Sequence, residues 1–283
     1  VSTFSIVARD PENGDLGVAT ASKFLAVGAV VPYAVADIGA IATQSYANTG
    51  YGPRVIGALR AGVPLDLIDQ ALQSSDDQIA LRQYGLVDAA GRSVSFTGEG
   101  CHPWAGGTSG PGYAAQGNLL TGPEVIEAVV ASFEASTGPL AERLVAALLA
   151  GDRAGGDARG RQSAALLVVR AEGGYGGLSD RYIDLRVDDD PDPVPRLERL
   201  LTLQRLYFEA PHEDDLLPIE GEVAERLLRL LRDAGHQVGA SWDASAASAL
   251  RALAGVENLE MRLSGDARID KAVLAYLEAA RPN

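Results

Sequence analysis

The chain has a single cysteine, Cys101, and only three histidines, His102, His212 and His236. One thiol excludes an intrachain disulfide, and histidines scattered in this way make no zinc-ligand spacing, so no metal site is expected. Cationic side chains are scarce as well: 24 Lys and Arg stand against 38 Asp and Glu, a formal charge of −14. That balance repels a phosphate backbone and argues against nucleic acid as a partner. No apolar run approaches the roughly 18 residues of a membrane helix, so no membrane partner is expected. No charged leader followed by an apolar segment and a cleavage site opens the sequence, so the cytoplasm is the expected location, with export after signal removal as the alternative. The Gly-Lys-Ser/Thr ending of a phosphate-binding loop is missing, and no cofactor is implied.

What is present begins at Thr3. Thr3 to Arg9 and Leu16 to Ser22 are two short runs of β-favouring residues around a loop with Asn13-Gly14, whose residues tolerate positive φ. This spacing predicts a β-hairpin. Alternation along the first strand puts Thr3, Ser5 and Val7 on one face and Phe4, Ile6 and Ala8 on the other. A hydroxyl therefore stands at the start of a buried strand.

Further strands are expected over 24–34 and 38–46, where small and β-branched residues dominate, and over 83–88 and 93–98, joined by a turn at 89–92. Tyr113 to Asn118, Gln162 to Arg170 and Tyr182 to Val187 complete the set. Helical spacing marks 53–61, 64–72, Glu124 to Ala135 and Leu140 to Leu149. Strands in runs separated by helix pairs argue α+β rather than alternating α/β, and strands of small residues buried on both faces suit a four-layer αββα sandwich.

Domains are expected at 1–187 and 196–283, divided by the acidic, proline-punctuated stretch 188–195. That stretch lacks the glycine and spaced ligands of a calcium loop. The tail carries stripes through Leu197, Leu200 and Leu201, through Val223, Leu227, Leu230 and Leu231, and through Ile269, Val273 and Leu277. These predict a small helical domain, with Gly255 as a left-handed cap. Apolar stripes of this extent make a homo-oligomer an expectation.

Thr3 to Lys23, Cys101 to Gly106, Tyr113 to Leu120 and Gly155 to Leu166 resemble the prokaryotic domain of unknown function numbered ten twenty-eight, which is grouped by fold with the N-terminal-nucleophile (Ntn) hydrolases. The tail, through Trp242, Leu250, Leu253, Gly255, Glu257-Asn258 and Ile269-Asp270, is similar to the peptidoglycan-binding-like segment often attached to that family. The resemblance implies an Ntn-hydrolase-like αββα sandwich with a helical C-terminal domain. The leading functional expectation is hydrolysis of a C–N amide bond in a small substrate, with peptidoglycan as a partner for the tail. In sequences of this kind the first strand commonly opens with the matching threonine.

Thr3 is thus the candidate nucleophile. An amino-terminal threonine can use its own α-amine, with a pKa of about 7.7 to 8.0, as the base for its hydroxyl. Val1-Ser2 precede it, so the amine exists only if processing removes them; otherwise Thr3 is an ordinary β-branched strand residue. Ser2 falls on the opposite face of the strand and makes a poor substitute. Lys23, ending the second strand, could lower the pKa of that amine or stand as a rim lysine. Asn118 offers an amide donor to an oxyanion or simply terminates a strand. In the glycine-rich loop 155–163, Asp157, Arg159, Arg161, Gln162 and Ser163 are candidates for orienting substrate, or form a tight turn. Cys101-His102 is not a catalytic dyad, because adjacent residues on extended backbone point apart. The alternative to a hydrolase is a non-catalytic binding or assembly module built on the same fold.

Overall fold

The computed structural model describes residues 3–265 and 267–280. The chain divides into two compact units, Val1–Leu201 and Thr202–Asn283. In the first, ten strands form two antiparallel sheets. The strands are β1 Thr3–Arg9, β2 Leu16–Ser22, β3 Pro32–Val35, β4 Gly39–Ser45, β5 Arg82–Asp88, β6 Ser93–Thr97, β7 Ala105–Gly110, β8 Tyr113–Asn118, β9 Ser163–Val169 and β10 Arg181–Val187. One sheet runs β10-β9-β2-β1-β8-β7 and the other β3-β4-β5-β6.

The hairpin β1–β2 forms as its sequence predicts, with Ala8 opposite Gly17 and Phe4 opposite Ala21. Its loop is held by two short-range carboxylate and amide caps, Asp10 Oδ1 accepting from the Glu12 N–H and Asn13 Oδ1 from the Asp15 N–H, each at 2.9 Å. Gly14 supplies the left-handed residue at φ 81°. The alternation along β1 sorts its side chains onto two cores. Phe4, Ile6 and Ala8 pack with Val125, Val129 and Phe133 of α3 (Glu124–Ala135) and Leu140, Leu144 and Leu148 of α4 (Leu140–Arg153). Val7, with Leu16, Val18 and Leu167, faces Ala40, Ala42 and Val87 of the other sheet.

The outer face of the second sheet offers Ile41, Tyr84 and Leu86 to Tyr51 and Val55 of α1 (Tyr51–Arg60) and Leu65, Ile68 and Leu72 of α2 (Leu65–Ser75). Each fully buried side chain of this size contributes about 2 kcal/mol of transfer free energy. Passing through the unit, one therefore meets α3 and α4, the six-stranded sheet, the four-stranded sheet, and α1 and α2.

Two segments of the first unit's sheets differ from the sequence expectation. The apolar run 24–34 is a strand only from Pro32, because Ala26 turns left-handed at φ 53° and the N–H groups of Ala26 and Val27 are bound by Asp188 O and Ser163 Oγ. Ala105–Gly110, outside the expected strands, is edge strand β7, paired with β8 through Thr108 opposite Ala115.

The acidic stretch is irregular only to Asp192. Helix α5 runs Pro193–Phe208, with a proline where the missing N–H would be unpaired anyway. Val194, Leu197 and Leu201 belong to the first unit's core, so the units part within α5. The second unit holds α6 Gly221–Asp233, α7 Ala244–Val256, α8 Lys271–Ala279 and a ribbon of β11 Leu216–Pro218 with β12 Arg268–Asp270. Leu227, Leu231, Leu250, Leu253, Ile269, Val273 and Leu277 fill its core. Helix α7 continues through Gly255, and the left-handed residue beyond it is Asn258, φ 57°.

Candidate functional site

Thr3 opens β1, one of the two central strands of the six-stranded sheet, and pairs with Asn118 on β8. Its side chain lies on the face turned to the other sheet and is fully buried. Its Oγ1 donates to Ser22 Oγ at 3.2 Å, across to β2. Val1 and Ser2 lie outside the described residues.

Around Thr3 the space between the sheets changes from hydrocarbon to amides. Gln44 of β4 donates from Nε2 to Thr3 O (3.2 Å), Gln116 O (3.3 Å) and Gln83 Oε1 (2.8 Å). Gln83 Oε1 also accepts from Asn118 Nδ2 at 2.9 Å, while Gln83 Nε2 donates to Gly117 O at 2.7 Å and Thr97 Oγ1 at 2.9 Å. Ser5 Oγ donates to Gln44 Oε1 and accepts from Gln116 Nε2, both at 2.6 Å. Ser5, Gln44, Gln83, Gln116 and Asn118 are all buried.

The partners settle which end of each amide is which. Gln83 Nε2 faces a backbone carbonyl, so its Oε1 must face the two other amides, and Asn118 presents Nδ2 to it. One N–H of Asn118 is thereby engaged and the amide plane is fixed. Two non-glycine residues at this end are left-handed, Ser45 at φ 65° and Leu119 at φ 51°. Such backbone is held only where surrounding contacts over-determine it.

The remaining expected site residues gather at the same strand ends. The Lys23 N–H donates to Asp157 Oδ2 at 2.7 Å, while the exposed ammonium donates to Arg161 O at 3.1 Å. Buried Asp157 also takes Arg159 NH2 on Oδ2 at 3.0 Å and the Arg159 N–H on Oδ1 at 2.9 Å. Arg161 Nε binds Asp152 Oδ1 at 2.7 Å, and that bond raises the guanidinium pKa further. Gln162 Nε2 donates to Asp189 Oδ1 at 3.0 Å, and Ser163 Oγ donates to Phe24 O at 2.5 Å. Asp157 and Ser163 thus tie the loop 155–163 to the segment that follows β2, Arg161 ties it to Asp152 of α4, and Gln162 ties it to Asp189.

Sequence reading passed over Gln44, Gln83 and Ser22. A signal was available: each stands at an inward position of a strand, two residues on from a small side chain or hydroxyl in the cases of Gln44 and Ser22. Among the described residues no cluster of His, Cys, Asp and Glu converges as a metal site, and no helix is long and apolar enough to cross a membrane.

An open groove of about 540 Å³ lies on the helix-facing side of β7, lined by Trp104, Gly106, Thr108 and, from α3, Ile126, Glu127 and Glu134. It adjoins the strand that pairs with Asn118 but leaves Thr3 covered.

Fold and site define a two-unit mixed α/β protein whose first unit packs antiparallel sheets around a buried polar end. Residues 3–197 match the family described as "Family of unknown function (DUF1028)", and the chain belongs to that family. Residues 207–277 match the domain described as "Putative peptidoglycan binding domain". A solved structure of a DUF1028 protein from Silicibacter pomeroyi is 30% identical, with a TM-score of 0.65, over 79% of this chain and 92% of that one. Comparison with curated proteins gives no match.

Proposed function

We propose that the first unit is an Ntn-type hydrolase that cleaves a C–N amide bond in a small substrate. The observation that carries this reading is Thr3 itself. It stands at the head of a central strand, with its hydroxyl turned between two sheets and the side chain of its strand neighbour Asn118 held by Gln83. The layer order, with a helix pair outside each sheet, supports an Ntn-like αββα sandwich.

In this mechanism Thr3 Oγ1 attacks the substrate carbonyl carbon. The α-amine of Thr3, once Val1 and Ser2 are removed, takes the hydroxyl proton and delivers it to the departing amine nitrogen. The Asn118 side-chain amide and nearby backbone stabilise the oxyanion. Water then hydrolyses the ester. Lys23 and the arginines of the loop 155–163 supply positive charge at the rim, and Asp157 anchors that loop.

A second reading rests on the groove beside Trp104: the unit binds a ligand there without turnover, and the tail engages cell-wall glycan. The amino-terminal sequence of protein from its native host, with amide turnover by wild type and Thr3→Ala, separates the two. A start at Thr3, and turnover abolished in a folded Thr3→Ala, is expected. A uniform start at Val1 in functional material, or a variant that still turns over, overturns the hydrolase.

A further inference from the structure

We propose that Ser22 is the positioning residue for the Thr3 hydroxyl, an inference that rests on the hydrolase reading. Ser22 Oγ is 3.2 Å from Thr3 Oγ1, and both side chains are buried. A hydroxyl both accepts and donates. While Thr3 Oγ1 keeps its proton, Ser22 accepts from it and holds its rotamer. Once that proton has passed to the amine, the Ser22 hydroxyl can turn and donate to the more negative Oγ1. The interaction is therefore stronger on the way to the transition state than before it, which is the kind that raises a rate rather than an affinity.

The mounting of Ser22 suits this task. Its carbonyl accepts from the Gln162 N–H at 3.1 Å, and the next N–H, that of Lys23, is held by the buried Asp157 carboxylate at 2.7 Å. Across the sheet it pairs with Ser163, whose Oγ bridges Phe24 O and the Val27 N–H. The loop 155–163 thus fixes Ser22 from both sides, and through Ser22 it reaches Thr3.

The test uses the full chain released to start at Thr3, with β-butyrolactone as probe and intact mass with peptide mapping as readout. Thr3 Oγ1 attacks the lactone carbonyl and the acyl–oxygen ring bond breaks. The hydroxyl proton passes through the amine to the departing alkoxide, leaving an ester at Thr3 that carries the whole probe mass.

Ser22→Ala is expected to slow the maximal acylation rate roughly tenfold, the effect of losing one hydrogen bond. The probe concentration at half-maximal rate should hold, the variant should stay folded with only a small drop in its unfolding midpoint, and Ser22→Thr, which keeps the hydroxyl, should restore the rate. Acylation of Ser22→Ala at the wild-type rate, or equal loss in both variants, overturns the role of Ser22 and leaves the nucleophile standing. Absence of acylation in wild type as in Thr3→Ala overturns the hydrolase reading, and this inference with it.

Discussion

The space between the two sheets is filled in two different ways along the same strands. At one end Val7, Leu16, Val18, Ala40, Ala42 and Val87 make a dry apolar contact. At the other, a few residues along, Thr3, Ser5, Ser22, Gln44, Gln83, Gln116 and Asn118 make a buried net of hydrogen bonds. An apolar contact is non-directional and accepts any side chain of the right size. An amide net holds one arrangement of its members, since turning one amide leaves several buried groups unpaired. The comparison teaches that the strands are held together by hydrocarbon at one end, while the other end is ordered for position.

The sharpest way to break the comparison is to convert the polar end into the apolar one. Gln83→Leu keeps the approximate volume but removes a hydrogen bond from each of Gly117 O, Gln44 Nε2 and Asn118 Nδ2 together. Each buried hydrogen bond lost costs about 1 kcal/mol, so losing those of Gln83 together is expected to cost about 4 kcal/mol in urea unfolding. Leu16→Ala at the dry end should cost about 3 kcal/mol through its cavity, and should leave the Asn118 side-chain amide resonances where they are. Gln83→Leu should move them. Equal silence at Asn118 in both variants would mean that the net does not orient it.

A smaller effect probes how tightly the net is packed. Gln116 lies against Gly85 of the opposite sheet, where an added Cβ would come within 2.7 Å of Gln116 Cδ and collide with its Oε1. Gly85→Ala should therefore cost about 2 kcal/mol by overpacking. In a Gln116→Ala background the same change should cost much less, giving a coupling of about 1 kcal/mol or more in a double-mutant cycle. Additive costs would show that the two sheets relax apart at this end.

Much of the framework was legible in the sequence because it rests on local pattern. The β1–β2 hairpin follows from alternation and Asn13-Gly14, and Glu124–Ala135 is helical over the expected residues because its apolar stripe recurs at helical spacing. Strand β7 was not legible: Gly106, Gly107 and Gly110 leave it almost no side chains to alternate, and its pairing with β8 makes it a strand. The segment 24–31 read as a strand because it is apolar, yet its backbone donors are claimed by Ser163 and Asp188, far along the chain. At the candidate site Thr3 and Asn118 could be named from their strand positions. Their coupling through Gln83 and Gln44 could not, because it joins residues 35 to 41 positions apart across two sheets.

The smallest expected effect sharpens the comparison with pH, since β5 leads out of the polar end into a titratable group. Just ahead of Gln83, Arg82 opens β5 by donating from Nε to Asp76 Oδ2 at 3.0 Å, and Asp76 also accepts from Tyr51 OH at 2.7 Å and Asn48 Nδ2 at 3.2 Å. The bond from Arg82, then that from Tyr51, holds the Asp76 carboxyl well below the usual carboxylate range. A folded pKa below the unfolded one means that the stabilisation is complete above the unfolded value of about 3.9 and is lost as pH falls below it toward the folded value. Only part of it is lost by about pH 3, which makes this the weakest of the effects. Urea unfolding at about pH 5 and about pH 3 should show wild type losing more stability than Asp76→Asn over that interval. Equal losses would mean that Asp76 does not fasten the start of β5, and that Gln83 is positioned from within the net alone.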